Sequence, residues 1–222
     1  ERYALAEPIL KRSLAIRERL GGQDDPEVGR NLNELGVLRW REGKFAEAES
    51  LLTRAIAVWE RTRGAGHPDV ARALNNLAIV YGSEGKPDEA IPRYQRALEI
   101  YEKTFGPDHP RVAQTLINLG FTLFGKGDYS GADSYYRRAL AIQEKRLGPE
   151  HPNLATTLNN LANVKKAEKR YDEAQALLER ALAIREKALG PDHPDVAWNV
   201  GDLGVLLRDR GDYAAAEPLF RR

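Results

Sequence analysis

Four histidines recur every 42 residues, each followed by proline: His67, His109, His151 and His193. Imidazole is a common metal ligand and proton carrier near neutral pH. One ring per 42 residues, however, lacks the i, i+4 spacing of a helical zinc pair. The His-Pro step reads instead as a helix start, and Asp25-Pro26 holds the same place one period earlier. Arg12, Arg54, Arg96, Arg138, Arg180 and Arg222 form a second periodic set. A residue type identical at every period does what every period does, which is stacking, so these arginines read as a ladder between repeats. Gly-rich phosphate loops, an activated serine and clustered carboxylates do not emerge, and cysteine is absent. The expectation is a non-catalytic chain that uses no metal and no cofactor.

Recognition of one partner at one place calls for residues that differ between periods. These lie on helices whose apolar stripe is Val70, Leu74, Leu77, Ala78 and Tyr81, at i, i+4, i+7, i+8 and i+11. Opposite this stripe, one row is Arg30, Arg72, Gln114, Thr156 and Trp198, and the next is Asn33, Asn75, Ile117, Asn159 and Gly201. Then come Glu34, Asn76, Asn118, Asn160 and Asp202, followed by Val37, Ile79, Phe121, Asn163 and Val205. The last row is Trp40, Gly82, Phe124, Lys166 and Arg208. Asparagine is mildly unfavourable inside a helix because its amide competes for the backbone. Its recurrence here therefore needs a reason. A ladder of amides offers donors and acceptors to the main chain of an extended peptide whatever its sequence. Alternatively, the Asn pairs bond between neighbouring helices and tie the stack together, and the two readings are compatible.

A fixed period of this length is the mark of a solenoid, in which each unit buries its apolar face only against its neighbours. Proline at the first turn opens helix A in each unit, with Asp69 and Asp195 at the positive end of the dipole. Gly43, Gly85, Gly127 and Gly211 end it, and Lys169 departs from that pattern, so a left-handed turn there carries strain of about 1 kcal/mol. Helix B follows, with a small Ala48, Ala90, Ala132, Ala174 or Ala216 where two helices approach, and Gly106, Gly148 or Gly190 at its end. Pro8, Pro92 and Pro218 lie near its start, where only about one backbone hydrogen bond is lost. Eleven helices are expected. Residues 1–24 supply a helix B, with Tyr3, Ala6, Leu10, Leu14 and Ile16 at helical spacing, 25–66, 67–108, 109–150 and 151–192 are complete repeats, and 193–222 is an incomplete last one.

Composition sets outer bounds. Lys plus Arg number 34 against 33 Asp plus Glu, a net charge of +1, which argues against nucleic acid or an anionic membrane as the main partner. Charged residues make up 30% of the chain, and no apolar run approaches the roughly 20 residues that span a bilayer. The expectation is a soluble, cytoplasmic segment. Methionine is absent, and a chain running from Glu1 to Arg222, both inside helix-B patterns, reads as a piece of a longer array.

These residues resemble the tetratricopeptide repeat, through Leu74, Leu77, Ala78 and Tyr81, then Ala90, Tyr94 and Ala97. The 42-residue period, with Gly106-Pro107-Asp108-His109-Pro110 and Leu158-Asn159-Asn160-Leu161-Ala162, is similar to the kinesin-light-chain variety. The resemblance implies an all-α fold, a right-handed superhelical solenoid of stacked antiparallel helix pairs whose A helices make a concave wall. It also implies a protein-binding scaffold, with Asn76, Asn118 and Asn160 at the position that contacts a ligand's main chain. The varying rows suit a linear motif with acidic and aromatic residues, through Arg30 and Arg72 at one end and Phe121, Phe124, Trp40 and Trp198 elsewhere. The family's two-carboxylate clamp is incomplete, because Thr156 and Asn160 replace its second basic pair. Two other functions stay open: a regulatory arm of a signalling enzyme, and a structural solenoid that self-associates through uncapped ends.

Overall fold

The computed structural model describes residues 2–22 and 25–221, with side chains from Glu7 onward. Tyr3 and Ala6 therefore lie outside the described side chains, and Arg222 outside the described residues. Eleven helices and no strand occur among the described residues. The A helices are α2 (Pro26–Arg41), α4 (Pro68–Ser83), α6 (Pro110–Lys126), α8 (Leu154–Ala167) and α10 (Pro194–Arg210). The B helices are α1 (Arg2–Gly21), α3 (Phe45–Arg63), α5 (Pro87–Phe105), α7 (Tyr129–Leu147), α9 (Tyr171–Leu189) and α11 (Tyr213–Arg221). The chain divides into two compact units, 1–109 and 110–222, and within each unit consecutive helices pack on one another.

Each helix start has a physical cause. Nδ1 of His67 and His193 accepts from the backbone N–H of Asp69 and Asp195, at 3.2 and 3.1 Å, while Asp25 Oδ1 accepts from Glu27 N–H at 2.9 Å. The imidazole is thus an N-cap acceptor, as a carboxylate is in the first repeat. His151 accepts from Asn153 N–H at 3.2 Å, yet α8 opens only at Leu154, two residues after the expected Pro152. There Ala155 N–H bonds to Pro152 O, three residues back, and this tightened turn delays the helix.

Helix ends depend on backbone that few residues adopt. Lys169 takes φ 61°, the strained left-handed turn that its glycine siblings make freely. Gly106, Gly148 and Gly190 sit near φ 85–90° and ψ 158–161°, a region essentially reserved for glycine. Pro92 is accommodated inside an unbroken α5.

The core runs along the helix pairs. Ala48, Ala90, Ala132 and Ala174 are fully buried, and Val70, Leu74, Leu77, Ala78 and Tyr81 are all buried as the stripe requires. In 110–222 the core holds Leu154, Leu158, Ala181 and Ile184, followed by Leu178, Leu203, Leu206 and Leu207. No described helix is long and apolar enough to cross a membrane.

Candidate functional site

In unit 1 the open faces of α2 and α4 are largely satisfied by their own residues. Arg30 pairs with Glu27 at 3.2 Å. Arg72 donates to Asp69 at 2.9 Å and lies over the Trp59 ring at 4.9 Å. Both cations expected to attract an acidic ligand thus already hold carboxylates. Asn33 departs from the expected row: it is 1% exposed, because its amide is clamped between α2 and α4. Its Oδ1 accepts from Asn76 Nδ2 at 2.9 Å, and its Nδ2 donates to Glu34 at 3.2 Å. Asn75 and Ile79 are half-buried beside this bridge. Trp40 is also engaged, its indole N–H donating to Ser83 Oγ at 2.8 Å.

Unit 2 presents a different face. Phe121 and Trp198 are 67% and 73% exposed, and Asn163 and Gln114 are exposed as well. Gln114 donates to Asn118 Oδ1 at 3.1 Å. Asn160 is half-buried, and its side chain has no hydrogen-bond partner among the described residues. Asn159 behaves as Asn33 does, in a reciprocal amide pair with Asn199 at 3.0 and 3.3 Å. The asparagines therefore divide: Asn33, Asn76 and Asn159 bridge neighbouring A helices, whereas Asn160 and Asn163 make no such bridge among the described residues.

Asn199 was not among the expected residues, although it lies one register position from the row and is fully buried. Arg39 and Lys165 were also missed, with side chains 6% and 2% exposed. Arg39 meets both Glu7 oxygens at 2.5 and 3.2 Å, Glu42 at 2.6 Å and Glu47 at 2.8 Å. Its hydrogen bonds, with those of Lys11, pull the Glu7 carboxyl down to about 2. Lys165 meets Asp133 at 2.6 Å and Glu168 at 3.1 Å. The signal was present in the sequence: both occupy the Tyr81 position of the apolar stripe, one and two periods away. Tyr81 itself donates to Glu49 at 2.7 Å, and burial followed by that bond pushes its hydroxyl up to about 12.

Three rungs of the expected arginine ladder are seen. Arg54, Arg96 and Arg180 reach Glu18, Glu60 and Glu144 at 3.0, 2.5 and 2.6 Å, each linking one B helix to the preceding one. Among the described residues no group of three or more His, Asp or Glu is placed to hold a metal ion.

Paired helices on a fixed period, closed by alanine contacts and inter-repeat ladders, define a repeat protein of the α-solenoid class. The tetratricopeptide repeat family model matches residues 1–60, 30–103, 71–145, 118–170 and 153–222, and the chain belongs to that family. Its structural neighbours are similar to kinesin light chains. The crystal structure of BtubC (BKLC) from P. vanneervenii has 27% identity and a TM-score of 0.82, over 98% of this chain and 86% of that one. A Podosopora anserina putative kinesin light chain with nearly identical TPR-like repeats has 27% identity and a TM-score of 0.79, over 89% and 93%. No curated protein matches the chain. Proteins of this family act generally as protein-interaction scaffolds, and no catalytic family is indicated.

Proposed function

We propose that the chain is a non-catalytic scaffold that holds an extended peptide, or a partner's surface, on the open faces of its A helices. The observation that carries this reading is the face of unit 2, where Phe121, Trp198 and Asn163 are exposed and the half-buried Asn160 has no hydrogen-bond partner among the described residues. Aromatic side chains offer large contact area at low conformational cost, and free amides pair with a peptide main chain. The near-neutral charge supports a protein partner over nucleic acid. In unit 1, Arg72, Asn75 and Ile79 offer a smaller surface, since Arg30 and Arg72 are already paired.

A selection from a random extended-peptide library tests this, run beside the variant Asn160→Ala with Asn163→Ala. Enrichment of peptides by the native chain, lost in the variant at unchanged melting temperature, is the expected outcome. Equal enrichment in both overturns the role of the amides.

A further inference from the structure

Within unit 2, a pocket of about 140 Å³ opens between the start of α6 and the end of α7, walled by Pro110, Ala113 and Ile142. Asn153, from the repeat that follows, lines it too. Gln143 stands on its α7 side, at a register position where the two preceding complete repeats carry Trp59 and Tyr101. Both of those aromatics are buried, 1% and 4% exposed. The Trp59 ring packs on Gly29 and donates its N–H to Pro26 O at 3.0 Å. Gly29 and Pro26 are the counterparts of Ala113 and Pro110. The pocket therefore lies where a ring of the chain itself lies in the repeat 25–66. Gln143 does not replace that ring: its amide oxygen accepts from Thr157 Oγ1 at 2.8 Å, toward α8. Arg185, at the same position in the repeat 151–192, likewise turns to the next A helix and bonds to Asp195 O at 3.2 Å and to Asn199.

Size and chemistry narrow what could enter. An apolar void of about 150 Å³ holds one benzene ring. Ala113 sets a sharper limit. A Cβ on Gly29 would lie 2.6 Å from Trp59 Nε1 and 2.8 Å from its Cε2, so the methyl group that Ala113 carries excludes an indole in the Trp59 pose. Where the counterpart is Ala71, the chain carries the smaller Tyr101. The exposed Arg146 also lines the pocket and makes no hydrogen bond, ion pair or ring contact among the described residues. A free guanidinium is attracted to the face of an aromatic ring, as Arg72 is to Trp59 at 4.9 Å. Gln114, from the open row of α6, joins the pocket to that face.

We propose that this pocket seats the single ring of a phenylalanine or tyrosine side chain from a peptide lying on the open face of α6, which rests on the reading of that face as peptide-bearing. The guest ring takes the place that Trp59 takes in its own repeat, with Arg146 over it, and Ala113 rejects tryptophan.

The test titrates the full chain with four acetylated, amidated heptapeptides of Gly and Ser that carry a central Tyr, Phe, Trp or Leu. Binding is read from the backbone amide shifts of Ala113 and Ile142. The Tyr and Phe peptides are expected to shift both signals saturably. Trp should bind about tenfold more weakly, because a well-packed site resists added volume. Leu should bind about threefold more weakly, since it forfeits the cation–π contact. Ala113→Gly recreates the Gly29 environment and should bring the Trp peptide level with Tyr. Gln143→Tyr supplies the ring from the chain itself, and should abolish the shifts while the melting temperature holds or rises. Trp or Leu binding the native chain as well as Tyr, discrimination against Trp that persists in Ala113→Gly, or undiminished binding to Gln143→Tyr each overturns the proposal. A lower melting temperature in Gln143→Tyr also overturns it, because the slot then cannot seat a ring. Shifts at Phe121, Asn160 and Asn163 with none at Ala113 or Ile142 overturn the pocket while leaving the wider A-helix reading standing. No shift anywhere overturns the pocket too, and the library selection then decides the wider reading.

Discussion

Two kinds of charged contact join successive helices, and they obey opposite rules. Along the B helices, three rungs of the arginine ladder repeat one pair: Arg54 with Glu18, Arg96 with Glu60, Arg180 with Glu144. These side chains are about a third to a half exposed. In the buried seam between a B helix and the next A helix, the same register position does not repeat one pair. It holds Glu7 with Arg39, Glu49 with Tyr81, and Asp133 with Lys165. At the matching positions 91 and 123 the sequence has Ile and Leu. The ladder can be uniform because solvent tolerates a mismatched rung. The seam cannot, since a cation placed opposite a non-matching partner would be buried alone, which is strongly unfavourable. Exposed charge therefore marks the repeat, and buried charge distinguishes one interface from the next.

The largest effect that would break this contrast is expected at Lys165. Lys165→Ala leaves Asp133 beside a cavity with only the exposed Arg137 as its cation, and a loss of about 3 kcal/mol is expected from truncating the buried partner of the pair. Chemical denaturation measures it. Lys165→Leu combined with Asp133→Ile places there the residue types that the sequence carries at 123 and 91, and should return stability to the native value or above it. If the double replacement is as unstable as Lys165→Ala, the seam depends on charge itself rather than on matched partners.

Acid should separate the two regions next. Glu7 is held down to about 2 by its hydrogen bonds from Arg39 and Lys11, against an ordinary value of 4.5. A carboxyl depressed by folding contributes stability that is complete above its unfolded value and is lost as pH falls through the folded one. For Glu7 the loss should therefore run from about pH 4.5 down to about 2. Asp133 follows the same sign: burial raises its carboxyl, but bonds from Lys165 and Arg137 outweigh that and lower it. Melting temperature against pH for the native chain and for Arg39→Met is the measurement. The variant should lose most of the Glu7 part of the slope, leaving only what Lys11 maintains, and an unchanged slope would assign acid sensitivity to the surface.

The contrast also explains what was legible in advance. The helix pairs, the histidine caps, the ladder and the left-handed Lys169 follow from local rules applied at a fixed period. Each depends on residues a few positions apart, or on one contact repeated. The seam was missed because Arg39 and Lys165 look like surface residues until they are aligned with Tyr81 at the inward position. Their partners, Glu7 and Asp133, lie 32 residues upstream on a different helix. Asparagine was half legible for a related reason. Sequence places Asn33, Asn75, Asn76 and Asn159 on one side of helix A, but whether an amide meets a neighbour's amide depends on how closely two A helices approach. Asn33 and Asn159 find such partners, and Asn160 does not.

The smallest expected effect sharpens the comparison most. Arg96 pairs with Glu60 at 2.5 Å, a geometry as close as that of the buried Arg39 with Glu7. Distance alone would make the two pairs equivalent, but exposure separates them: the Arg96 side chain is 42% exposed and the Arg39 side chain 6%. Water already solvates the Arg96 head group, and holding two long side chains in register has an entropy cost, so Arg96→Ala should destabilise by only about 0.5 kcal/mol. That loss should shrink further in 0.5 M salt, because the Debye length falls to roughly 4 Å and exposed charges are screened. A loss as large as that of Lys165→Ala, unaffected by salt, would mean that the ladder is as buried in function as the seam, and the distinction between marking repeats and distinguishing them would fail.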